Sequence, residues 1–465
     1  TATPHGLVHG HDLENLYGED KFQFVVVYGR RRVGKTTLLS KFCQGKPSLF
    51  FTADESIDSI SLERFSKMIF SQYSLSGLSS FNSWEDAFIF VGQKARDNKL
   101  ILVIDEFQYL VNANKSITSI LQRLIDHQLA DTKLFLVLCG SYVSFMEEEV
   151  LGYKSPLYGR RTAQFEIVPL DFFDSRKFFP KYNLQSQLIT YGILGGTPQY
   201  LSTFDESDDI YENVERKCLQ KSSYLYEEPV FLLHQELREP STYNSILSAI
   251  AHGNTRLNKI STRLKIDDTK VGKYINILIG LKLVERLRPE PIGRTSRESI
   301  FKIKDNFFKF WYRFVFENKD LIDQGMGHFV ANNLIKPSIN EYMGEIFEDV
   351  SLEFLERMNK QSGLPFTFKK IGKWWGNNPL KKREEEIDIV AYDEENILLG
   401  ECKWWGELVD ISVLNTLMEK GALFDFRNKY YVIFSKSGFT KKVMEFAKVN
   451  DNILLFTMED FAQNF

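Results

Sequence analysis

Over the first third of the chain, short apolar runs of strand length alternate with longer stretches of helical period. Residues 22–28, 48–52, 100–105 and 134–139 read as strands, and 35–43, 62–73, 84–97 and 117–130 repeat apolar positions at the spacing of one helix face. Strands separated by crossover helices predict a parallel sheet covered on both sides. The unbroken Val25-Val26-Val27 suits a strand buried on two faces. From 171 to about 238 the strand patterns vanish and helical ones take over, interrupted by Gly195-Gly196-Thr197-Pro198. Three short helical patterns follow at 243–252, 257–264 and 269–281, then a strand at 283–287 and a turn at 289–293. Three helices and a hairpin have the layout of a winged helix. After about residue 327 a long helix (335–358) leads into two strands joined by a tight turn near 393–396.

Length and composition agree with several packed domains. At 465 residues, 43% hydrophobic and 26% charged, each has enough apolar surface for a core. The net charge of −4 excludes a uniformly basic protein but not a local basic surface. No apolar run approaches the length of a membrane helix, and 1–10 lacks the regions of a signal peptide. Whether residues 1–10 are native is left open by the missing initiator Met. Cys43, Cys139, Cys218 and Cys402 are scattered with no CxxC pair, which argues against a disulfide framework and suits a reducing cytoplasm.

The strand 22–28 runs into Gly29-Arg30-Arg31-Arg32-Val33-Gly34-Lys35-Thr36, which fits G-x-x-x-x-G-K-[ST] in the required strand–loop–helix setting. The backbone N–H groups of such a loop wrap the β-phosphate at a helix N-terminus. Gly29, Arg32, Val33, Gly34, Lys35, Thr36 and Thr37 are the candidate nucleotide contacts. Lys35 would reach the β- and γ-phosphates and Thr36 would hold Mg²⁺. A second apolar strand ends in Asp105-Glu106. There Asp105 can assist the same cation and Glu106 can polarise the attacking water. Ser141 either lies near the γ-phosphate, if its strand neighbours the one carrying Asp105, or caps the next helix. Arg160, in a loop after Gly159, is a candidate for neutralising transition-state charge in cis or from a neighbouring subunit, with a surface ion pair as the alternative.

Between Asn254 and Arg313 there are 15 Lys and Arg against 6 Asp and Glu. Concentrated on the winged-helix pattern, they read as a DNA footprint, with protein docking as the alternative. Lys270 and Lys273 lie on the third helix, and Arg286, Arg288, Arg294 and Arg297 on or near the wing.

The C-terminal hairpin carries its own chemistry. A turn centred between Glu394 and Glu395 sets Asp388 opposite Glu401, and Lys403 falls on the same face, with Glu386 as a further candidate beside them. Two neighbouring carboxylates repel unless a divalent cation lies between them, so Asp388 and Glu401 are candidate metal ligands and Lys403 a candidate catalytic cation. A solvated hairpin with a chance ion pair is the bland alternative.

The phosphate loop, Leu102-Val103-Ile104-Asp105-Glu106-Phe107-Gln108, Gly140-Ser141 and Gly195-Gly196-Thr197-Pro198-Gln199-Tyr200 resemble the archaeal-type ATPases of the STAND/AAA+ P-loop group. That resemblance implies that Pro198, in a helical lid, contacts the nucleotide base. Where the group usually has an Arg-Glu pair, this chain reads Val8-His9-Gly10-His11-Asp12. Asp388…Glu401-Cys402-Lys403 has the form of the PD-(D/E)XK nuclease motif, which implies Glu348 of the preceding helix as a third ligand. The stretches 224–247, 301–316, 371–375 and 401–404 also look like this ATPase group and the domain of unknown function that follows it.

The expectation is a multidomain α/β chain. It comprises a P-loop ATPase core (1–165), a helical lid (166–238), a winged helix with connector (239–330) and a restriction-endonuclease-like domain (331–465). The implied function is an ATP- and Mg²⁺-dependent cytoplasmic switch that binds DNA and couples to a metal-dependent deoxyribonuclease, with a possible homo-oligomer. The alternatives are a nucleotide-gated DNA-binding scaffold with a non-cleaving C-terminal domain, or a regulatory ATPase acting on proteins.

Overall fold

The structure, a computed structural model, describes residues 4–75, 77, 79–237, 239–291, 299–379 and 381–462. By contacts it divides into two units, 1–169 with 197–199, and 170–196 with 200–465.

The first unit is built on β1 (Gln23–Tyr28), β2 (Ser48–Thr52), β3 (Leu100–Asp105), β4 (Leu134–Gly140) and β5 (Ala163–Glu166). They form one parallel sheet in the order β2-β3-β4-β1-β5. The apolar strands alternate between two cores, as period-2 geometry requires. Phe24, Val26, Leu102 and Ile104 face the helices Asp58–Gln72, Trp84–Lys94 and Ile117–Leu124, while Val25, Val27, Ile101 and Val103 face Lys35–Cys43 and Leu13 of the helix Pro4–Gly18. Three elements were not read from the pattern, one of them the seven-residue helix Phe107–Ala113. The first helix, Pro4–Gly18, has little apolar periodicity. The edge strand β5 is only four residues long and half-buried.

In the second unit, helices occupy the segment after Leu170, including Leu184–Leu194. Helices Pro240–Ala251, Leu257–Leu264 and Asp268–Gly280 then precede an antiparallel pair, β6 (Val284–Leu287) and β7 (Ile300–Ile303). The third helix starts where Asp267 accepts a hydrogen bond from the Thr269 N–H. Phe307, Phe308, Phe310, Trp311 and Phe314 are buried, as their helical spacing predicts. The helical run passes without a break from Gly327 into the long helix Lys336–Lys360, through the position read as the start of the last domain.

Five strands follow the long helix: β8 (Lys370–Asn378), β9 (Arg383–Tyr392), β10 (Asn396–Lys403), β11 (Asn428–Ser435) and β12 (Ile453–Thr457). Their order is β12-β11-β10-β9-β8, with β10, β11 and β12 parallel and β8 and β9 antiparallel to their neighbours. The sequence reading found only β9 and β10. Asp393 sets their turn by accepting from the N–H groups of Glu395 at 2.8 Å and Asn396 at 2.7 Å.

Candidate active sites

At the phosphate loop, backbone sterics explain the glycines. Gly29 has φ +152°, and a Cβ there would stand 2.1 Å from the Ile167 carbonyl oxygen; Gly34 has φ +96°. The buried Lys35 ammonium donates to the carbonyls of Gly29 and Arg30, each at 2.8 Å, and burial lowers its pKa. Thr36 Oγ1 donates to Asp105 Oδ2 at 2.7 Å, so the two expected Mg²⁺-side groups are in contact.

Strand order decides the rest. With β4 between β1 and β3, Ser141 lies beside the acid pair, and its hydroxyl donates to Glu106 Oε2 at 2.5 Å. It does not cap the next helix, whose N-cap is Tyr142. Glu106 has φ +54° and ψ +42°, a left-handed conformation costing on the order of 1 kcal/mol in a non-glycine residue. Gln108, not singled out from sequence, donates from Nε2 to Glu106 Oε2 and, at 3.3 Å, to Ser141 Oγ. Its only sequence signal was its place in the Asp-Glu-Phe-Gln run. A carboxylate held this way has one defined direction, which a water-polarising group needs.

Arg160 is not brought to this cluster by any hydrogen bond. Its guanidinium makes a two-point pair with Asp126, at 2.7 and 2.8 Å, and also donates to the Pro156 carbonyl. Arg32 has φ +72°, and Val33 is buried beneath the loop. Thr37 continues the helix Lys35–Cys43. The short segment 197–199, with Pro198, groups by contacts with this unit, although the residues on both sides of it do not.

At the C-terminal hairpin, Ile397 pairs with Tyr392 and Gly400 with Ile389. Continued by one residue, that register sets Glu401 opposite Asp388, as the turn position predicted. Asp388 Oδ2 accepts from the Cys402 N–H at 2.9 Å. Burial, then the charges of Glu348 and Glu401, push its pKa up to about 7. Lys403 Nζ lies 2.6 Å from Glu401 Oε1, and Lys420, unnoticed in the sequence, reaches the other oxygen at 3.4 Å. Glu348 is held by Lys373 at 2.6 Å. Among the described residues no three acidic, histidine or cysteine side chains stand close enough together to hold a metal ion. Glu348 and Glu401 are each paired with lysines. Glu386 pairs with Trp375 across β8 and β9.

The basic segment divides in two. Lys259, Arg263, Lys270, Lys273, Arg286 and Arg288 are exposed. Lys302 and Lys309 are instead buried against the long helix, where Lys302 meets Glu345 and Asp349, and Lys309 meets Glu345. Arg313 pairs with Glu341 and Arg256 with Glu384. Counting charge along the sequence assigned all four to the surface footprint. Folding neutralises them with acids distant in sequence. Arg294 and Arg297 lie outside the described residues.

The loop, the Thr36–Asp105 pair and the oriented Glu106 on a parallel sheet define a P-loop ATPase. Residues 11–204 match the family model described as an ATPase domain predominantly from Archaea, and 311–412 match the model of archaeal and bacterial proteins of unknown function. Uncharacterized protein MJECL04 of Methanocaldococcus jannaschii is 35% identical over 457 residues, 97% of this chain and 98% of that protein. The chain belongs to the family of that protein, an archaeal ATPase domain followed by the domain of unknown function. A 34-residue match at 50% identity, covering 7% of this chain and 58% of the relative, is to uncharacterized ATP-binding protein MJ0423 of the same organism. The Walker-type ATPase PABY2304 of Pyrococcus abyssi is a looser likeness, with TM-score 0.49 and 20% identity over 65% of this chain and 94% of that one. No helix among the described residues is long and apolar enough to cross a membrane.

Proposed function

We propose that this ATPase is a nucleotide switch that governs a DNA-binding winged helix, formed by the three helices and the β6–β7 pair, and a metal-dependent DNA nuclease of the PD-(D/E)XK type in the C-terminal sheet. The observation that carries the nuclease reading is Asp388, a buried carboxyl raised to about 7 between Glu348 and Glu401, with Lys403 on Glu401. Carboxyls whose pKa values are shifted by burial and by one another's charge concentrate at functional sites.

In the ATPase core, Lys35 binds the β- and γ-phosphates, Thr36 and Asp105 share the cation side, and Glu106 polarises the attacking water. Ser141 and Gln108 aim Glu106, and Pro198 borders the base. Arg160, tied to Asp126, is the candidate for neutralising transition-state charge, in cis or from a neighbouring copy. The Thr36–Asp105 pair fits Mg²⁺, which, bound with ATP, would offset the phosphate charge. In the C-terminal site a divalent cation would supply the positive charge that lets Glu348, Asp388 and Glu401 converge.

A second reading, a DNA-gripping domain that does not cut, draws support from the lysines already paired with Glu348 and Glu401. The test is cleavage of plasmid and oligonucleotide DNA with Mg²⁺ or Mn²⁺, with and without ATP, by the wild type and by Glu401→Ala. Cleavage by the wild type alone supports the nuclease. No cleavage under any nucleotide condition leaves the DNA-binding switch.

A further inference from the structure

The C-terminal site is bordered by two consecutive tryptophans with opposite fates. Trp404 is buried, with its Nε1 on Asn340 Oδ1 at 3.3 Å and its ring 5.3 Å from Phe347 of the long helix. Trp405 turns outward and leaves 48% of its surface exposed. An indole left in water at that level forgoes the burial that normally retains a tryptophan.

Its position is informative. β10 and β11 run parallel, with Lys403 opposite Ser435, so the segments leaving both strands emerge at one edge of the sheet. In open α/β sheets the carboxyl ends of strands are where ligands bind. The two segments are tied together there. The Lys436 N–H donates to the Lys403 carbonyl at 3.0 Å, and the Ser437 hydroxyl donates to the Trp405 carbonyl at 2.6 Å. The Lys403 ammonium lies 5.0 Å from the centre of the Trp405 ring and 2.6 Å from Glu401. An aromatic plane therefore stands next to the candidate catalytic lysine, with Lys436 against the neighbouring Trp404 ring at 4.6 Å.

An exposed ring beside an ammonium group, with a second ammonium over the adjacent tryptophan, matches a polymer that alternates flat bases with phosphates. Duplex DNA hides its base faces in the stack, whereas an unpaired base presents one. We propose that Trp405 is a base-stacking platform and that the strand reaching Asp388, Glu401 and Lys403 is single-stranded DNA. This inference rests on the reading of the C-terminal domain as a DNA-acting site and names its substrate class.

The test uses the full chain in EDTA, so that binding is measured without cleavage. A labelled single-stranded oligodeoxynucleotide and an abasic strand of the same length are titrated against the wild type, Trp405→Ala and Trp405→Phe. Stacking predicts that the wild type prefers the strand with bases. Trp405→Ala then loses about ten-fold on that strand alone, within the range of single stacked bases, and Trp405→Phe keeps most of the affinity. The slope of log affinity against log salt stays the same, because no phosphate contact is removed. Thermal unfolding of both variants checks that the fold is intact. The inference is overturned if Trp405→Ala binds both strands as the wild type does, or weakens equally on both. Failure of the nuclease reading is read separately, as absence of metal-dependent cleavage by the wild type, and leaves the comparison of strands with and without bases standing.

Discussion

Replacing Asp388 by Asn should remove a pH dependence of stability whose size follows from the site. The carboxyl is buried between Glu348 and Glu401 and titrates near 7, against a usual aspartate value of 3.8. Its one backbone bond, from the Cys402 N–H, can be accepted equally by an amide oxygen. Because the folded-state pKa is raised, the native chain keeps a proton that the unfolded chain has already released. Stability therefore falls as pH rises between the two values and levels off above the folded one. From about pH 5 to about pH 8 the wild type should lose about 3 kcal/mol at this site, at about 1.4 kcal/mol per unit of pH. Asp388→Asn should lose this share of the slope and be more stable than the wild type at the upper end of the window, while the share from Glu353, raised to about 8 chiefly by burial, stays in both proteins. Hydrogen exchange of the β9 and β10 amides reads the effect locally, apart from the other unit. Adding Mn²⁺ should protect these amides in the wild type at the upper pH and not in the variant. If Asp388→Asn shows the wild-type pH slope, the carboxyl is not held in this acid cluster and the reasoning fails.

In the ATPase core, Lys35→Ala should abolish hydrolysis and weaken nucleotide binding, whereas Glu106→Gln should still bind ATP and turn it over at least a hundred-fold more slowly, as seen in single-turnover assays. Ser141→Ala and Gln108→Ala should lower kcat with nucleotide affinity unchanged, since both side chains reach Glu106; a pure loss of affinity would contradict that role. Neutralising the exposed Lys270 and Lys273 should flatten the salt dependence of DNA affinity by about one unit of slope per lost phosphate contact, measured by anisotropy. Lys302→Met should leave that slope alone and destabilise the second unit in denaturant melts by less than the about 3–5 kcal/mol of a fully unpaired buried charge, because Glu345 keeps Lys309 and Asp349 keeps Lys373.

The sequence alone was enough for the elements with strong local signals. The strands ending at Tyr28, Asp105 and Gly140, the phosphate loop between β1 and its helix, and the β9–β10 register all follow from apolar runs and turn chemistry. These patterns are dictated by neighbours in the chain, so they are legible in the chain. The rest depended on which elements meet. Only the strand order β3-β4-β1 brings the Ser141 hydroxyl to Glu106, and only the fold commits Arg160 to Asp126. Lys302 and Lys309 look like surface charge in a residue count. Yet the long helix carries Glu345 and Asp349, one turn apart, to their ammonium groups and makes them interior. Of two adjacent tryptophans, packing took Trp404 inside and left Trp405 beside Lys403. Charge pairing and burial are set by distances between residues far apart in sequence, which periodicity along the chain does not encode.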